Sequence, residues 1–389
     1  MSFIWVWTIY LFLSPFYLFQ SGYPQPADIL IFLAICLYFA LTLLNFQKEI
    51  RSVYVFGAMF VGLAFTINFI HYFFMPDIKF ILHSFIYLFN FFIFMFVVML
   101  FDRDRERMNH VTYKTLLIIV AFQFLMVVFF PDSDDVRASG TFNKSNQLAY
   151  WCVLAAALLL VLKRNTRFTI IDLAAFSILS YMQMLTLSKA GIIVFFLLFI
   201  MFVSSPNMPR RYRYIVILFA ALFSISYMGN AQKIYNFFMN FDTVDAVSKR
   251  LGTLGKQNDD TPEARGYLRL IEHPGYLLIG AGEGAYQRFG RQELHSGIAT
   301  LLFSYGIFGF GFFIAFLASA FYRLSFYYSA MLMPIFLFGL THQNIRFSFF
   351  WIFLAVAYAG HFFKNNGVYT ETHKKDKLVL YDEGVHEEN

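Results

Sequence analysis

Residues 298–321, IATLLFSYGIFGFGFFIAFLASAF, run for 24 positions without a charged side chain. A bilayer's hydrocarbon core is about 30 Å thick and takes roughly 20 apolar residues as a helix, because in lipid the backbone must satisfy its own polar groups. Such a run commits a chain to the membrane unless the rest of the molecule can bury it. Here it cannot: 59% of the 389 residues are hydrophobic, 54 are phenylalanine, and only 14% are charged, more apolar surface than a soluble core of this length hides. The expected class is an all-α, polytopic membrane helix bundle.

The same ruler yields about twelve transmembrane helices. They are expected near 3–20, 28–46, 53–73, 80–101, 114–130, 147–162, 168–186, 190–204, 213–229, 296–319, 325–341 and 346–363. This divides the chain into an N-terminal membrane bundle of about nine spans (1–229), one large loop (230–295), C-terminal spans (296–363) and a tail (364–389). The N-terminal run lacks a basic n-region and a small-residue cleavage site, so it is read as a retained first span. Cys36 and Cys152 both lie in apolar runs, which argues against a disulfide framework or a cysteine metal site.

Basic residues orient the spans. Alternate connections, the Arg323 turn and the C-terminal tail among them, carry seventeen of the thirty Lys and Arg residues, whereas the opposite short connections carry five: Lys79, Arg137, Lys144, Lys189 and Arg346. Cytoplasmic loops hold the excess. Both termini are then expected in the cytoplasm and the 230–295 loop outside. That loop is too long for a simple connector.

The loop contains LIGAGEGAYQRFGRQELHSG (278–297), with Gly280, Gly282 and Gly284 at every second position. A dinucleotide fingerprint needs a preceding strand, a βαβ unit and a cytoplasmic nucleotide, so that reading fails. Upstream, TPEARGYLRLIEHPG predicts a short helix with Thr261 as N-cap, Pro262 at its first position and Pro274-Gly275 as the stop. On such a helix Arg265 and Arg269 share one face.

Arg265, Tyr267, the His-Pro at 273–274, GAGEGAY and LHSGIATLLFSYGIFG, in this order, resemble the large-loop region of the O-antigen polymerase and ligase superfamily. SGTFNKSNQLAYW (139–151) is similar to that family's outer-loop Gly/Asn segment, and LTLSKAG (185–191) to its Ser-Arg segment, with Lys189 in place of the family's arginine. A lysine keeps the charge but loses the bidentate fork. Ser296 follows His295 where the family commonly has Asn.

The resemblance implies glycosyl transfer at the outer face of the bacterial inner membrane, from a glycan carried on polyprenyl diphosphate such as undecaprenyl diphosphate, and no cofactor or metal. Lipid-linked oligosaccharide would be both donor and acceptor, and a chain-length regulator and a flippase the protein partners. His295 is the expected general base and Arg265 the leading clamp on the departing diphosphate. Lys189, Arg269, Arg288, Arg291, Arg137, Asn146, Gly282 and Gly284 complete the expected substrate-binding set. Polymerisation of O-antigen, capsule or exopolysaccharide repeats leads; ligation to lipid A-core is the alternative, and a flippase or transporter the alternative from another class.

Other polar groups read as structural. Asp102 and Asp104 alternate with Arg103, Arg105 and Arg107 in a self-paired turn, and Asp132, Asp134 and Asp135 form a solvated loop. Asn68 and His71 read as satisfied helix contacts, and THQNIR (341–346) as an outer polar set able to touch sugar hydroxyls. No P-loop, zinc spacing or nucleophile elbow is visible.

Overall fold

The computed structural model describes residues 3–20, 22–42, 51–130, 137–214, 261, 265–290, 293–322 and 324–361, and among them there is helix and no strand. Eight helices come first: α1 (Phe3–Leu13), α2 (Pro26–Thr42), α3 (Ser52–Phe74), α4 (Ile78–Arg103), α5 (Arg105–Phe129), α6 (Ser145–Leu162), α7 (Ile170–Leu185) and α8 (Lys189–Ser204). Two short ones, α9 (Leu268–Glu272) and α10 (Tyr276–Ile279), and a 3₁₀ turn (Tyr286–Phe289) belong to the large loop. The chain closes with α11 (Gly297–Phe321), α12 (Phe326–Ser329), α13 (Leu332–Thr341) and α14 (Ser348–His361).

Five helices, α3, α4, α5, α6 and α11, are long and apolar enough to cross a membrane. The shorter apolar helices α1, α2, α7, α8, α13 and α14 also fall on expected spans. The span expected at 213–229 lies almost entirely outside the described residues, as do Arg291, Arg323 and Asp132 to Asp135.

The connections sort into two sets. Tyr17 bonds to Thr141 (3.0 Å), Ala138 to Leu185 (3.0 Å) and Gly297 to His342 (3.0 Å), all through main-chain groups at one end of the bundle. At the other end Arg51 pairs with Asp102 (2.8 Å), the Asn207 amide donates to the carbonyls of Lys163 and Arg164, and Arg105 donates to that of Gly360 (2.6 Å). Residue 265 belongs to the first set, here the loop end, and Tyr214 to the second.

Asp102 is thus an ion-pair partner, and Asp104 accepts the Arg107 N–H at the N-terminus of α5, which begins at Arg105 rather than at 114. The acidic side chain satisfies an amide that the first helical turn leaves open.

Helix α6 is the axis of the fold, with 89% of its apolar window buried, and α14 lies against it and α4. Between Trp151 and Ala157 every α6 side chain is buried, and three successive alanines, Ala155 to Ala157, admit neighbours closely. Helix α14 has only 14 residues, which is about 21 Å. Its N-terminal connection dips into the bundle, where Asn90, twelve residues inside α4, donates to the Arg346 carbonyl (3.0 Å).

Helix α11 is broken at Gly306, whose φ of +64° no ordinary helical residue adopts. The break frees carbonyls that lipid could not satisfy. The glycine-rich strip of the loop fills them: Ala281 N–H donates to Phe303 (2.9 Å) and Gly282 N–H to Ser304 (2.9 Å).

Candidate functional site

Three segments meet at the loop end. In the α5–α6 connection, Arg137 donates through Nε to the Thr186 carbonyl (3.0 Å) and through Nη2 to Asn146 Oδ1 (2.7 Å). Thr186 caps α7, and Lys189 opens α8 three residues later, behind the N-cap Ser188. Leu187 between them is held at φ +50°, a strained conformation for a branched side chain, which gives the three-residue turn its sharpness. Arg137, Asn146 and Lys189 are partly buried.

The second group comes from the large loop and the α13–α14 connection. The His295 N–H donates to the Arg265 carbonyl (3.2 Å), and the Arg265 guanidinium donates to the Thr341 carbonyl. His295 is exposed and Arg265 partly buried. Next to Thr341, the His342 ring stacks on Phe338 at 4.7 Å.

Thr341 Oγ1 gives its proton to the Phe338 carbonyl (3.1 Å), so it accepts from His342 Nδ1 (2.9 Å) and fixes the tautomer with Nε2 as acceptor. Burial first, then Arg265, Arg137 and His295, push the His342 pKa down to about 3. The same three neighbours tie both groups together: the expected base, the expected clamp and Arg137 all lie within electrostatic reach of one neutral imidazole.

The glycine strip has a different role from the one expected. The N–H groups of Gly280, Ala281, Gly282, Glu283 and Ala285 go to Tyr276, Phe303, Ser304, Asn68 Oδ1 (2.7 Å) and Asp77 Oδ2 (2.7 Å). These five N–H groups are used within the protein. A Cβ at Gly282 would come within 2.8 Å of Phe80, and one at Gly284 would meet the same ring. These glycines let the loop backbone lie against α3 and α4.

Arg269 and Arg265 do not share a helix face. Gly266 takes φ +80°, and α9 begins only at Leu268. Arg269 is buried over the Phe289 ring (4.9 Å). Arg288 stacks on the same ring from 4.6 Å and donates to the Ala281 carbonyl. Both side chains pack within the loop. The cavity beside Arg269, Gly282 and Glu293 measures about 10 Å³, room for one water at most.

The most elaborate polar group is one the sequence reading passed over. Glu283, in the middle of the glycine strip, is fully buried, and its Oε2 accepts from Tyr305 (2.7 Å) and Tyr87 (3.0 Å). Arg346 Nη1 stands 3.5 Å from Oε1 and also reaches His83 Nε2, while Nη2 pairs with Glu293. His83 Nδ1 donates to the Glu283 carbonyl (2.7 Å), so Nε2 can only accept from the guanidinium, and the imidazole is neutral. Burial alone would raise the Glu283 carboxyl, but the Arg346 guanidinium and the two hydroxyls hold it below its ordinary value.

His83, Glu283 and Glu293 bring three ligand-type atoms within 4.8 Å of one another. The Arg346 guanidinium occupies the place a metal ion would take, so among the described residues this group is an ion-pair cluster. Asn68 completes it by donating to Ser84 (2.9 Å) and Tyr305 (3.3 Å), and His71 Nε2 donates to the Gly280 carbonyl (3.1 Å). Both are satisfied helix contacts, with loop backbone among their partners.

No protein-family model matches the chain, and no curated protein is significantly similar to it.

Proposed function

We propose that this protein polymerises oligosaccharide repeats carried on polyprenyl diphosphate, at the outer face of the bacterial cytoplasmic membrane, in a bundle of about twelve spans with both termini inside. One observation supports the reading: the His295 main chain bonds to Arg265 and the Arg265 guanidinium to Thr341, next to His342, while Arg137, bonded to Asn146, is among the charges that act on the same imidazole. The proposal assigns Arg137, Lys189 and Arg265 to a leaving group that gathers negative charge.

In the proposed reaction His295 takes the proton from an acceptor sugar hydroxyl. That oxygen bonds to the donor's anomeric carbon as the carbon–oxygen bond to diphosphate breaks, and the electron pair leaves on the diphosphate. Arg265, Lys189 and Arg137 stabilise the leaving charge in a water-poor setting, where fixed donors act most strongly. Asn146 orients the Arg137 guanidinium. His342 stays neutral, so it adds no repulsion to a nearby proton acceptor and offers Nε2 to a sugar hydroxyl.

Deleting the gene tests the assignment. A polymerase deletion leaves lipid A-core bearing at most one repeat. Long chains stranded on polyprenyl diphosphate would mark a ligase instead, and single lipid-linked repeats facing the cytoplasm would mark a flippase.

A further inference from the structure

Residues 274–282, PGYLLIGAG, carry no charge, although they sit in what the sequence presents as a water-exposed loop. Three helices give their depth. The strip bonds to Phe303 and Ser304 just before the break at Gly306, nine residues into α11. The adjoining Glu283 bonds to Tyr87, nine residues into α4, and to Asn68, six residues short of the loop end of α3. At 1.5 Å per residue these contacts lie roughly 9 to 13 Å below the helix ends. Half a hydrocarbon core is about 15 Å.

The polar side chains next to this strip turn inward, Glu283 to Tyr87 and Tyr305, Arg288 to the Ala281 carbonyl. Two of its apolar ones turn outward, while Ala281 is buried and Tyr276 and Leu277 pack against it. Leu278 and Ile279 are 59% and 64% exposed, directly beside Ile307 and Phe308 of α11 at 48% and 63%. Backbones touch at this junction, since a Cβ on Gly306 would meet the Leu278 carbonyl at 2.4 Å. The exposed face of the strip thus continues the outward face of a helix long and apolar enough to span.

We propose that residues 274–282 form a re-entrant segment at hydrocarbon depth in the loop-end leaflet, with Leu278 and Ile279 in contact with bilayer acyl chains. Its partner is the membrane itself, and the inference does not depend on the enzymatic reading. Irregular backbone survives at such depth only where protein satisfies it, and here the carbonyls of α11 and the amide oxygen of Asn68 do so. The strip in turn closes the break in α11. One element supplies both the lipid-facing surface and the missing hydrogen bonds.

Spin labels test this in vesicles of phosphatidylethanolamine and phosphatidylglycerol, with Cys36 and Cys152 replaced by alanine. Labels at Leu278→Cys and Ile279→Cys should collide with oxygen as readily as one at Phe308→Cys, within about twofold, and be shielded from a water-soluble nickel chelate. A label at Gln287→Cys, on an exposed residue of the 3₁₀ turn, is the aqueous reference. The unsubstituted protein gives a second measurement: a lipid-soluble carbene reagent should label the tryptic peptide 270–288. Nickel accessibility at Ile279 equal to that at Gln287, or an unlabelled 270–288 peptide beside a labelled α11, overturns the proposal.

Discussion

The main-chain N–H of His295 donates to the carbonyl of Arg265 at 3.2 Å, which holds the proposed base and the proposed diphosphate clamp side by side. The bond leaves both side chains to act. The guanidinium is anchored on Thr341, and the exposed imidazole is available to a proton.

Replacing His295 by alanine should cut polymer synthesis by about 10²- to 10⁴-fold, the usual worth of a general base, at unchanged membrane abundance. Arg265→Lys should remain inactive, because an ammonium cannot reproduce the fork that reaches both Thr341 and a diphosphate oxygen. Asp104→Ala, at the far end, should lose an N-cap worth about 1 kcal/mol and keep its activity. Polymer length on gels, normalised to protein in the membrane, reads all three. Normal polymer from His295→Ala would move the base assignment to another group.

The Glu283 cluster should dominate stability instead. Tyr305→Phe removes a hydrogen bond to a buried carboxylate and should cost about 1.5 to 3 kcal/mol. Glu283→Ala should cost more, up to about 3 to 5 kcal/mol, since it leaves a partly buried guanidinium with one fewer counter-charge and opens the seat of the strip. Thermal unfolding in detergent measures both. A Glu283→Ala protein as stable as the parent would mean that the strip is not held as described.

His342 gives a pH dependence of definite sign. Its pKa falls from about 6.5 in the unfolded chain to about 3 in the folded protein, so above pH 6.5 folding meets no penalty from it. Below that the unfolded chain binds the proton first, and stability drops by about 2 kcal/mol at pH 5. His342→Gln should lose that part of the acid sensitivity. Equal acid slopes in the two proteins would contradict a neutral, partly buried imidazole.

The helices were legible because uninterrupted apolar runs have few other solutions, and their expected positions agree with the described helices to within a few residues at most ends. The exceptions have physical causes. Helix α1 stops at Leu13, because Pro15 cannot continue it, and α5 starts nine residues early because Asp104 caps it. Glu283 was not legible, since a glutamate among glycines reads as a solvated turn. The available signal lay elsewhere: His83, Tyr87 and Asn90 recur at helical spacing within an apolar span, and a polar stripe at that depth needs a polar partner. Arg269 misled because Gly266 breaks the helix on which it was placed.

Single cysteines test the orientation in intact cells, after Cys36 and Cys152 are replaced. Exposed Thr166 and Gln287 supply one position at each end of the bundle. Gln287→Cys should react with an impermeant thiol reagent and Thr166→Cys should not. The reverse pattern would place the proposed site on the cytoplasmic side.

The most direct measurement is synthesis by the purified protein, given only lipid-linked repeats as donor and acceptor. A ladder of products should grow without nucleotide or added divalent metal and continue in the presence of chelator, because the diphosphate already activates the donor and the proposed clamp consists of side-chain cations. No ladder from folded protein, with transfer only when lipid A-core is supplied, would contradict polymerisation and select ligation. No transfer in either assay would contradict the glycosyltransferase account as a whole.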